Sequence, residues 1–296
     1  MFYEIEFPLA AHSLETVEAA LFEIGAISIT FVDRGDEPIL EPKPGETPLW
    51  ADTLVRALFE ESTGGACEVA LKLDRLAGAL GKNITRSARA RAVATKDWER
   101  VWLKDWKSMR FGRRLWVCPH MSEPPRDEDA VVVRLDPGLA FGTGSHPTTA
   151  LCLQILDSLP LSGRAVIDYG CGSGILGIAA LKLGAAHVTA VDLDPQALLA
   201  TRENAIRNEV SSRIEVQGIE AGLAPAYCVL ANILAGPLIE LAPRLNAACE
   251  PGGHMILSGL LRAQAHAVKA AYGSSFDMVR IIERDDWCCI YARRGA

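Results

Sequence analysis

The chain is predicted to fold as an α/β protein, a doubly wound, seven-stranded, mostly parallel sheet preceded by a small ferredoxin-like α+β domain. Three observations predict it. From residue 165 onward, strand-like and helix-like segments alternate, the pattern of a sheet covered by helices on both faces. The run VIDYGCGSGILG, residues 166–177, sets glycines where a strand ends and a helix opens, the context in which a glycine motif carries weight. Residues 1–95 read as β-α-β-β-α-β, the order of a ferredoxin-like unit.

In chain order, residues 3–7 form a short strand. Ser13 caps a helix whose apolar residues Leu14, Val17, Leu21 and Ile24 recur at helical spacing, and Gly25 stops it. Residues 27–33 alternate, with Ile27, Ile29 and Phe31 on one face and Ser28 and Thr30 on the other, which describes a half-buried strand. Pro38, Pro42, Pro44 and Pro48 mark a long loop. A third strand follows at 52–59, ended by Gly64 and Gly65, then a helix carrying Val69, Leu73, Leu76 and Leu80, then a strand at 83–93. The expected division is 1–95 for this domain, 96–108 for a linker helix and 109–296 for the larger domain. In the linker, Trp98, Trp102 and Trp106 stand four apart and so share one helical face. Packing between domains and a partner-docking stripe both fit, and the burial habit of aromatic rings favours packing.

Residues 111–119 and 130–135 read as strands leading into the larger domain. Strands then fit 165–167, 187–191, 213–216, 228–231, 254–257, 278–282 and 287–292, and helices fit 147–158, 174–182, 195–207, 237–247 and 262–271. The last two strands have no helix between them and are expected to pair antiparallel.

Composition narrows the function classes. A length of 296 residues fits two domains, and 49% hydrophobic with 23% charged residues is the balance of a folded globular chain. The net charge of -7 argues against broad nonspecific nucleic-acid binding and leaves room for a local basic patch. The opening MFYEIEFPLAAHSLE lacks the basic lead of a secretory signal, and no stretch reaches the roughly 18 apolar residues of a spanning helix. The 8 cysteines form no C-x-x-C pair and the 6 histidines show no ligand spacing beside them. The expectation is a reduced, cytoplasmic protein with no membrane association and no metal.

Gly172, Gly174 and Gly177 match G-x-G-x-x-G, which alone is a weak signal. Gly170, Gly172 and Gly174 let the backbone approach a ligand closely. Asp168 discriminates between ligands. At about 4 Å and an effective dielectric near 20, a fixed carboxylate would repel a diphosphate by roughly 4 kcal/mol. S-adenosylmethionine carries no phosphate, and its ammonium and sulfonium favour an acidic neighbour. Alternatively, Asp168 caps the loop or helix that follows. Asp192 ends the next strand, 18 positions after Gly174, where a carboxylate takes both hydroxyls of an adenosine ribose. Asp194, just before Pro195, reads as a helix cap. No phosphate-binding G-x-x-x-x-G-K-[ST] loop occurs.

Two further stretches stand out. LDPGLAFGTGSHPTTALCL, residues 135–153, carries Gly138, Gly142 and Gly144 ahead of a helix begun by Pro147. It is either a loop that closes over a ligand or a linker. LANILAGPL, residues 230–238, sets Asn232 where a strand gives way to a loop. Its amide offers one acceptor and two donors beside a reaction centre, or else satisfies its own turn.

Together LDPGLAFGTGSHPTT, VIDYGCGSGILGIAALKLGA, VDLDPQAL and ANILAGPL resemble, in this order, the class I methyltransferases that modify the stalk-base protein of the large ribosomal subunit, its eleventh protein. PGETPLWADT, KDWERVWLKDW and MRFGRRLWVCP extend the resemblance over nearly the whole chain. It implies a Rossmann-like catalytic domain that binds S-adenosylmethionine, with contacts at Thr149, Gly170, Asp192 and Asn232. It also implies a small domain that recognises the protein substrate, and repeated methylation of lysine ε-amines and the terminal α-amine. One local departure is Tyr227 in GLAPAYCVL, where an acid is often found. Asn232 is the expected catalytic residue, orienting the amine. Lys82, Arg86, Arg89, Arg91 and Lys96 form a run without acids, either a solvated face or a dock for an acidic surface or nearby ribosomal RNA. The alternatives are another acceptor, whether a different translation protein or a nucleic acid, and a noncatalytic module that binds S-adenosylmethionine while docked on the ribosome.

Overall fold

Strand β1 (Phe2–Pro8) alternates as a half-buried strand should, with Tyr3, Ile5 and Phe7 buried and Phe2, Glu4 and Glu6 partly open. It opens a computed structural model that describes residues 2–9, 13–35, 48–60, 65–81, 87–93, 107–123, 125–135, 144–273 and 276–295. The chain divides into two units, Met1–Trp98 and Glu99–Ala296. Trp98, Trp102 and Trp106 of the expected linker helix lie outside the described residues, as do Pro38, Pro42 and Pro44.

In the first unit, Ser13 caps helix α1 (Leu14–Glu23) by accepting from the Thr16 N–H at 3.3 Å, and Gly25 ends it at φ +88°. Strands β2 (Ser28–Asp33) and β3 (Thr53–Glu60), helix α2 (Gly65–Leu80) and strand β4 (Arg89–Val93) complete the β-α-β-β-α-β order. The sheet runs β2-β3-β1-β4 with every neighbour antiparallel, the ferredoxin-like arrangement. Its core joins Ile5, Phe7, Val55 and Phe59 of the sheet to Val17, Leu21 and Leu76 of the helices. Two expectations shift. Ile27 precedes β2 and is 54% exposed rather than on the buried face. The fourth strand begins at Arg89, and residues 82–86 lie outside the described residues.

In the second unit, strands β5 (Met109–Phe111), β6 (Leu115–Cys118) and β7 (Val131–Arg134) form a separate three-stranded sheet. The single strand expected at 111–119 is broken by a turn at Gly112. Its φ is +69°, and a Cβ there would lie 2.5 Å from Asp157 Oδ2. Asp157 accepts from the Arg113 and Arg114 N–H groups at 2.5 and 3.2 Å, which holds the turn.

The main sheet is built from β8 (Ala165–Tyr169), β9 (His187–Asp192), β10 (Ile214–Gly218), β11 (Ala226–Asn232), β12 (Cys249–Leu261), β13 (Phe276–Arg284) and β14 (Trp287–Arg294). Their order is β10-β9-β8-β11-β12-β14-β13. Strands β8 to β12 pair in parallel, and β14 is antiparallel to both neighbours, as the missing helix before it predicts. Helices α3 (Pro147–Ser158), α4 (Ile175–Lys182) and α5 (Pro195–Arg207) contribute to the core on one face, and α6 (Ala235–Glu240), α7 (Ala242–Ala248) and α8 (Ala265–Tyr272) to that on the other. The helix expected at 237–247 is split at Leu241, because Pro243 lacks an N–H and clashes with the preceding turn. The helix expected at 262–271 begins instead with a 3-10 turn, Arg262–Gln264.

From β8 the chain winds outward to β9 and β10, then returns to the other side of β8 at β11. The crevice at the carboxyl ends of β8 and β11 is therefore the topological switch point, where such sheets bind ligands.

Candidate functional site

Asp168 stands near the carboxyl end of β8 and is 1% exposed. Its Oδ2 accepts from the Gly177 N–H, on the third residue of α4, at 2.8 Å. A Cβ at Gly177 would sit 3.1 Å from this oxygen and 2.9 Å from Val188 Cγ1, so the glycine makes the contact possible. The cap reading of Asp168 thus holds for one oxygen. The other, Oδ1, is buried without a hydrogen-bond partner. Burial pushes the carboxyl up to about 7, aided by the charge of Asp192 and opposed by the Gly177 N–H.

The loop between β8 and α4 takes positive φ at Gly170, Gly172 and Gly174, at +75°, +54° and +78°. The Gly170 and Cys171 N–H groups both donate to the Val191 carbonyl, at 2.7 and 3.0 Å, tying the loop to the end of β9. Helix α5 holds its other side. The Thr201 hydroxyl donates to the Gly172 carbonyl at 3.0 Å, and Asn204 Nδ2 donates to the Ser173 carbonyl at 2.8 Å. One turn on, Asn208 bonds both the N–H and the carbonyl of Arg134, each at 2.7 Å, fastening α5 to β7. Sequence reasoning missed these three residues. The available signal was their spacing, 201, 204 and 208, which puts three polar side chains on one helical face.

Asp192 closes β9 and faces the same loop. Its Oδ2 accepts from the Gly172 N–H at 2.9 Å and its Oδ1 from the Asp194 N–H at 3.0 Å. Asp194 caps α5, accepting from the Gln196 N–H at 2.9 Å with Pro195 next to it. Leu193, between the two acids, is 75% exposed, an apolar side chain held out beside the loop.

Asn232 ends β11, and its Nδ2 donates to the Thr149 hydroxyl at 3.2 Å. Its Oδ1 is buried without a partner. Thr149 lies fully buried in the first turn of α3, which is capped by His146 Nδ1 accepting from the Thr148 N–H at 3.4 Å. Burial lowers the His146 pKa and so favours the neutral ring that a cap needs. Ser258 pairs with Asn232 across β11 and β12, and its hydroxyl lies 3.3 Å from the Thr148 carbonyl and 3.2 Å from that of Cys288.

Fold and glycine packing join the two halves of the crevice. A Cβ on Gly170 would lie 2.2 Å from Ile233 Cγ2, and one on Gly259 would lie 2.4 Å from the Ile233 carbonyl oxygen. Ile233, the residue after Asn232, is therefore wedged between the glycine loop and β12. Thr149 and Asn232 meet directly, as do Asp192 and Gly172, while Asp168 bonds α4 through Oδ2 and joins neither pair. Gly138 and Gly142 of the loop before α3 lie outside the described residues.

Other marked residues lie elsewhere. Tyr227, the noted departure, is the second residue of β11, toward the end opposite Asn232, and its hydroxyl meets His254 Nε2 at 3.0 Å. Arg91 is engaged with Glu4 at 2.7 Å, and Arg89 is exposed on β4. Lys82, Arg86 and Lys96 lie outside the described residues. Among the described residues, no group of three or more His, Cys, Asp or Glu side chains could hold a metal ion, and no helix is long and apolar enough to cross a membrane.

Comparison with known proteins bears on this arrangement. The family model for ribosomal protein L11 methyltransferase (PrmA) matches residues 1–295. The chain is 53% identical over 276 residues to the ribosomal protein L11 methyltransferase of Methylococcus capsulatus, covering 92% of each. It is 50% identical over 283 residues to that of Escherichia coli K12, covering 95% of each. A solved ribosomal protein L11 methylase from Lactobacillus delbrueckii subsp. bulgaricus matches with a TM-score of 0.58 at 31% identity, over 64% of this chain and 100% of that one. With a glycine loop and a half-buried asparagine at one switch-point crevice, and these likenesses along its length, the chain belongs to the ribosomal protein L11 methyltransferase family.

Proposed function

We propose that this chain is an S-adenosylmethionine-dependent N-methyltransferase that modifies lysine ε-amines and the terminal α-amine of ribosomal protein L11, with Asn232 orienting the amine. The observation that carries the reading is the Asn232 amide, whose nitrogen is committed to Thr149 while its buried oxygen has no partner. A buried carbonyl oxygen left unpaired costs stability, so its retention beside the glycine loop supports a donor arriving with the substrate. Action on a ribosomal protein puts its place of work in the cytoplasm.

The residues fit the methyl donor. The Asp192 oxygens each hold one backbone N–H and keep further lone pairs for ribose hydroxyls. Leu193 offers an apolar surface to the attached base. Gly170, Gly172 and Gly174 bring backbone close, and the unpartnered Asp168 Oδ1 suits a cationic amino-acid end. Thr149 joins this set by family resemblance. When bound, S-adenosylmethionine supplies an electrophilic methyl group on a sulfonium.

The chain's own task is to present a neutral amine with its lone pair aimed. Free lysine has a pKa near 10.4, so roughly one amine in a thousand is neutral near pH 7, a cost of about 4 kcal/mol. Desolvation in the crevice and a neighbouring positive charge both lower that pKa. Asn232 Oδ1 accepts an N–H from the amine and so leaves its lone pair free, a contribution of orientation rather than of base catalysis. Recognition of L11 is assigned to the smaller unit, where the exposed Arg89 is one candidate contact with an acidic surface or with nearby ribosomal RNA.

Incubation with methyl-labelled S-adenosylmethionine and total large-subunit components tests the reading. Label on L11 amines is expected. Label on RNA or on another protein would replace the acceptor, and tight donor binding without transfer would make the chain a binding module. Asn232→Ala should lower kcat by roughly 10²-fold, the scale for losing one oriented polar contact at a reacting centre. Unchanged turnover would remove Asn232 from the mechanism.

A further inference from the structure

We propose that Trp287, set edge-on against His146, forms the wall that receives the methylene stem of the acceptor lysine and so determines which amines are served at Asn232. The inference rests on the function proposed above and extends it to the acceptor side of the crevice. Transfer from a sulfonium is an in-line displacement, so the amine must approach from the side opposite the sulfur. The residues that fit the donor, Asp168, the glycine loop and Asp192, stand at the ends of β8 and β9. Asn232 ends β11, and the strands on its far side are β12 and β14. An amine arriving in line therefore comes from the β12–β14 side.

The start of α3 crosses these strand ends in order. Thr149 meets Asn232 of β11, the Thr148 carbonyl lies 3.3 Å from the Ser258 hydroxyl of β12, and the cap His146 meets Trp287 of β14. The two rings have centroids 4.9 Å apart at 69°, an edge-to-face pair. Cys289 and Leu230, two positions from Trp287 and Asn232, belong to the core on the α3 face, so Trp287 and Asn232 project on that face as well. Trp287 is in register with Leu261, three residues beyond the Ser258 that pairs with Asn232, which sets it about 10 Å further out along the strands. With an amine at Asn232, that is where the stem of a lysine runs. Trp287 is half-buried rather than enclosed. His146 accepts through Nδ1 and burial lowers its pKa, so the wall carries no cation to oppose an incoming lysine. The turn before Trp287 exposes Asp285 and Asp286 and is pinned by Arg262, whose guanidinium donates to the Asp285 carbonyl and whose N–H donates to the Asp286 carbonyl at 3.2 Å. Negative charge at the mouth attracts the ammonium, and the rings accept the apolar stem behind it. A terminal α-amine has no such stem and gains nothing from the wall.

The test compares Trp287→Ala, which removes the wall, with Trp287→Phe, which restores a ring. Both are saturated with L11 and methyl-labelled S-adenosylmethionine, and the rate of label entering each kind of amine is measured. In Trp287→Ala the lysine ε-amine rate should fall at least about tenfold while the α-amine rate stays within about threefold, because contact with even one methylene discriminates by about tenfold or more. Trp287→Phe should recover most of the ε-amine rate, and calorimetry should find donor affinity unchanged in both. An unchanged ε-amine rate, an equal loss at both kinds of amine, or a loss confined to donor affinity would overturn the proposal. Should Trp287→Ala fail to fold, Trp287→Gln takes its place and is judged by the same split. A second measurement needs no turnover. With S-adenosylhomocysteine bound, n-butylamine should shift the NMR signal of the Trp287 indole N–H, assigned by its absence from Trp287→Phe, and methylamine should shift it far less. No shift, or equal shifts from the two amines, would overturn the proposal. Wild-type protein that labels no amine would sink the proposed function, while the n-butylamine titration still decides whether the wall binds an aminoalkyl stem.

Discussion

Gly170 shows how little chemical freedom the crevice leaves. Its φ of +75° is costly for any residue with a Cβ, and an added Cβ would lie 2.2 Å from Ile233 Cγ2. Gly170→Ala should destabilise the protein by about 1–3 kcal/mol through backbone strain and overpacking, read as a lower urea midpoint, and should weaken donor binding more than turnover of bound donor. Asp168 carries a different prediction. Burial raises its carboxyl from an ordinary 3.8 to about 7. The folded state then holds the proton more tightly than the unfolded chain, so this contribution to stability is full below the ordinary value and is lost as pH rises through about 7. A cationic ligand favours the ionised form. Calorimetry at pH 7 in two buffers of different ionisation heat should therefore record release of about half a proton per S-adenosylmethionine bound, fading at higher pH. No release, or proton uptake, would remove the pairing of Asp168 with that ligand.

At the scale of elements, α5 is the part that turns a glycine loop into a defined surface. Glycines give the loop its reach and also its freedom, and Thr201 and Asn204 remove that freedom by satisfying the carbonyls of Gly172 and Ser173. Asn204→Ala removes the buried hydrogen bond from Nδ2 to the Ser173 carbonyl, at a cost of about 1–3 kcal/mol. Denaturant unfolding should show that loss, and donor affinity should fall with it, because the loop is no longer held in its bound form. A stability loss with unchanged affinity would mean that the loop keeps its shape without α5. Helix α3 does similar work on the other side of the crevice, with Asp157 near its end holding the β5–β6 turn and Thr149 near its start holding Asn232.

At the scale of the whole molecule, the two units divide the proposed labour, donor and chemistry in the larger and protein recognition in the smaller. A buried titrating group far from the chemistry sets a limit on the larger unit. His254 lies between two phenols, Tyr227 at 3.0 Å and Tyr291 at 2.8 Å, and burial, reinforced by Arg293, lowers its pKa from 6.5. The unfolded chain then takes up the proton first. The contribution of His254 is full above 6.5 and is lost as pH falls from there toward the folded value. The melting temperature should drop as pH is lowered below 6.5, and His254→Gln should flatten that slope. A wild-type slope retained in the variant would assign the effect to other groups.

The sequence alone determined the β-α-β-β-α-β order, the alternating units, the antiparallel final pair and the roles of Ser13 and Asp194 as caps, because each rests on neighbours a few residues apart. It also named the glycine loop, Asp192 and Asn232, since a ligand crevice in such a sheet forms where strands give way to loops. Tertiary structure decided the rest. The break at Gly112 depends on Asp157, 45 positions away, and the Asn232 amide bonds the Thr149 hydroxyl, 83 positions away. Thr201, Asn204 and Asn208 read as an ordinary polar helix face until the fold lays them against the carbonyls of Gly172, Ser173 and Arg134. Local patterning specifies elements through spacing along one chain segment, whereas a buried hydrogen bond between segments exists only once burial has removed water as the competing partner.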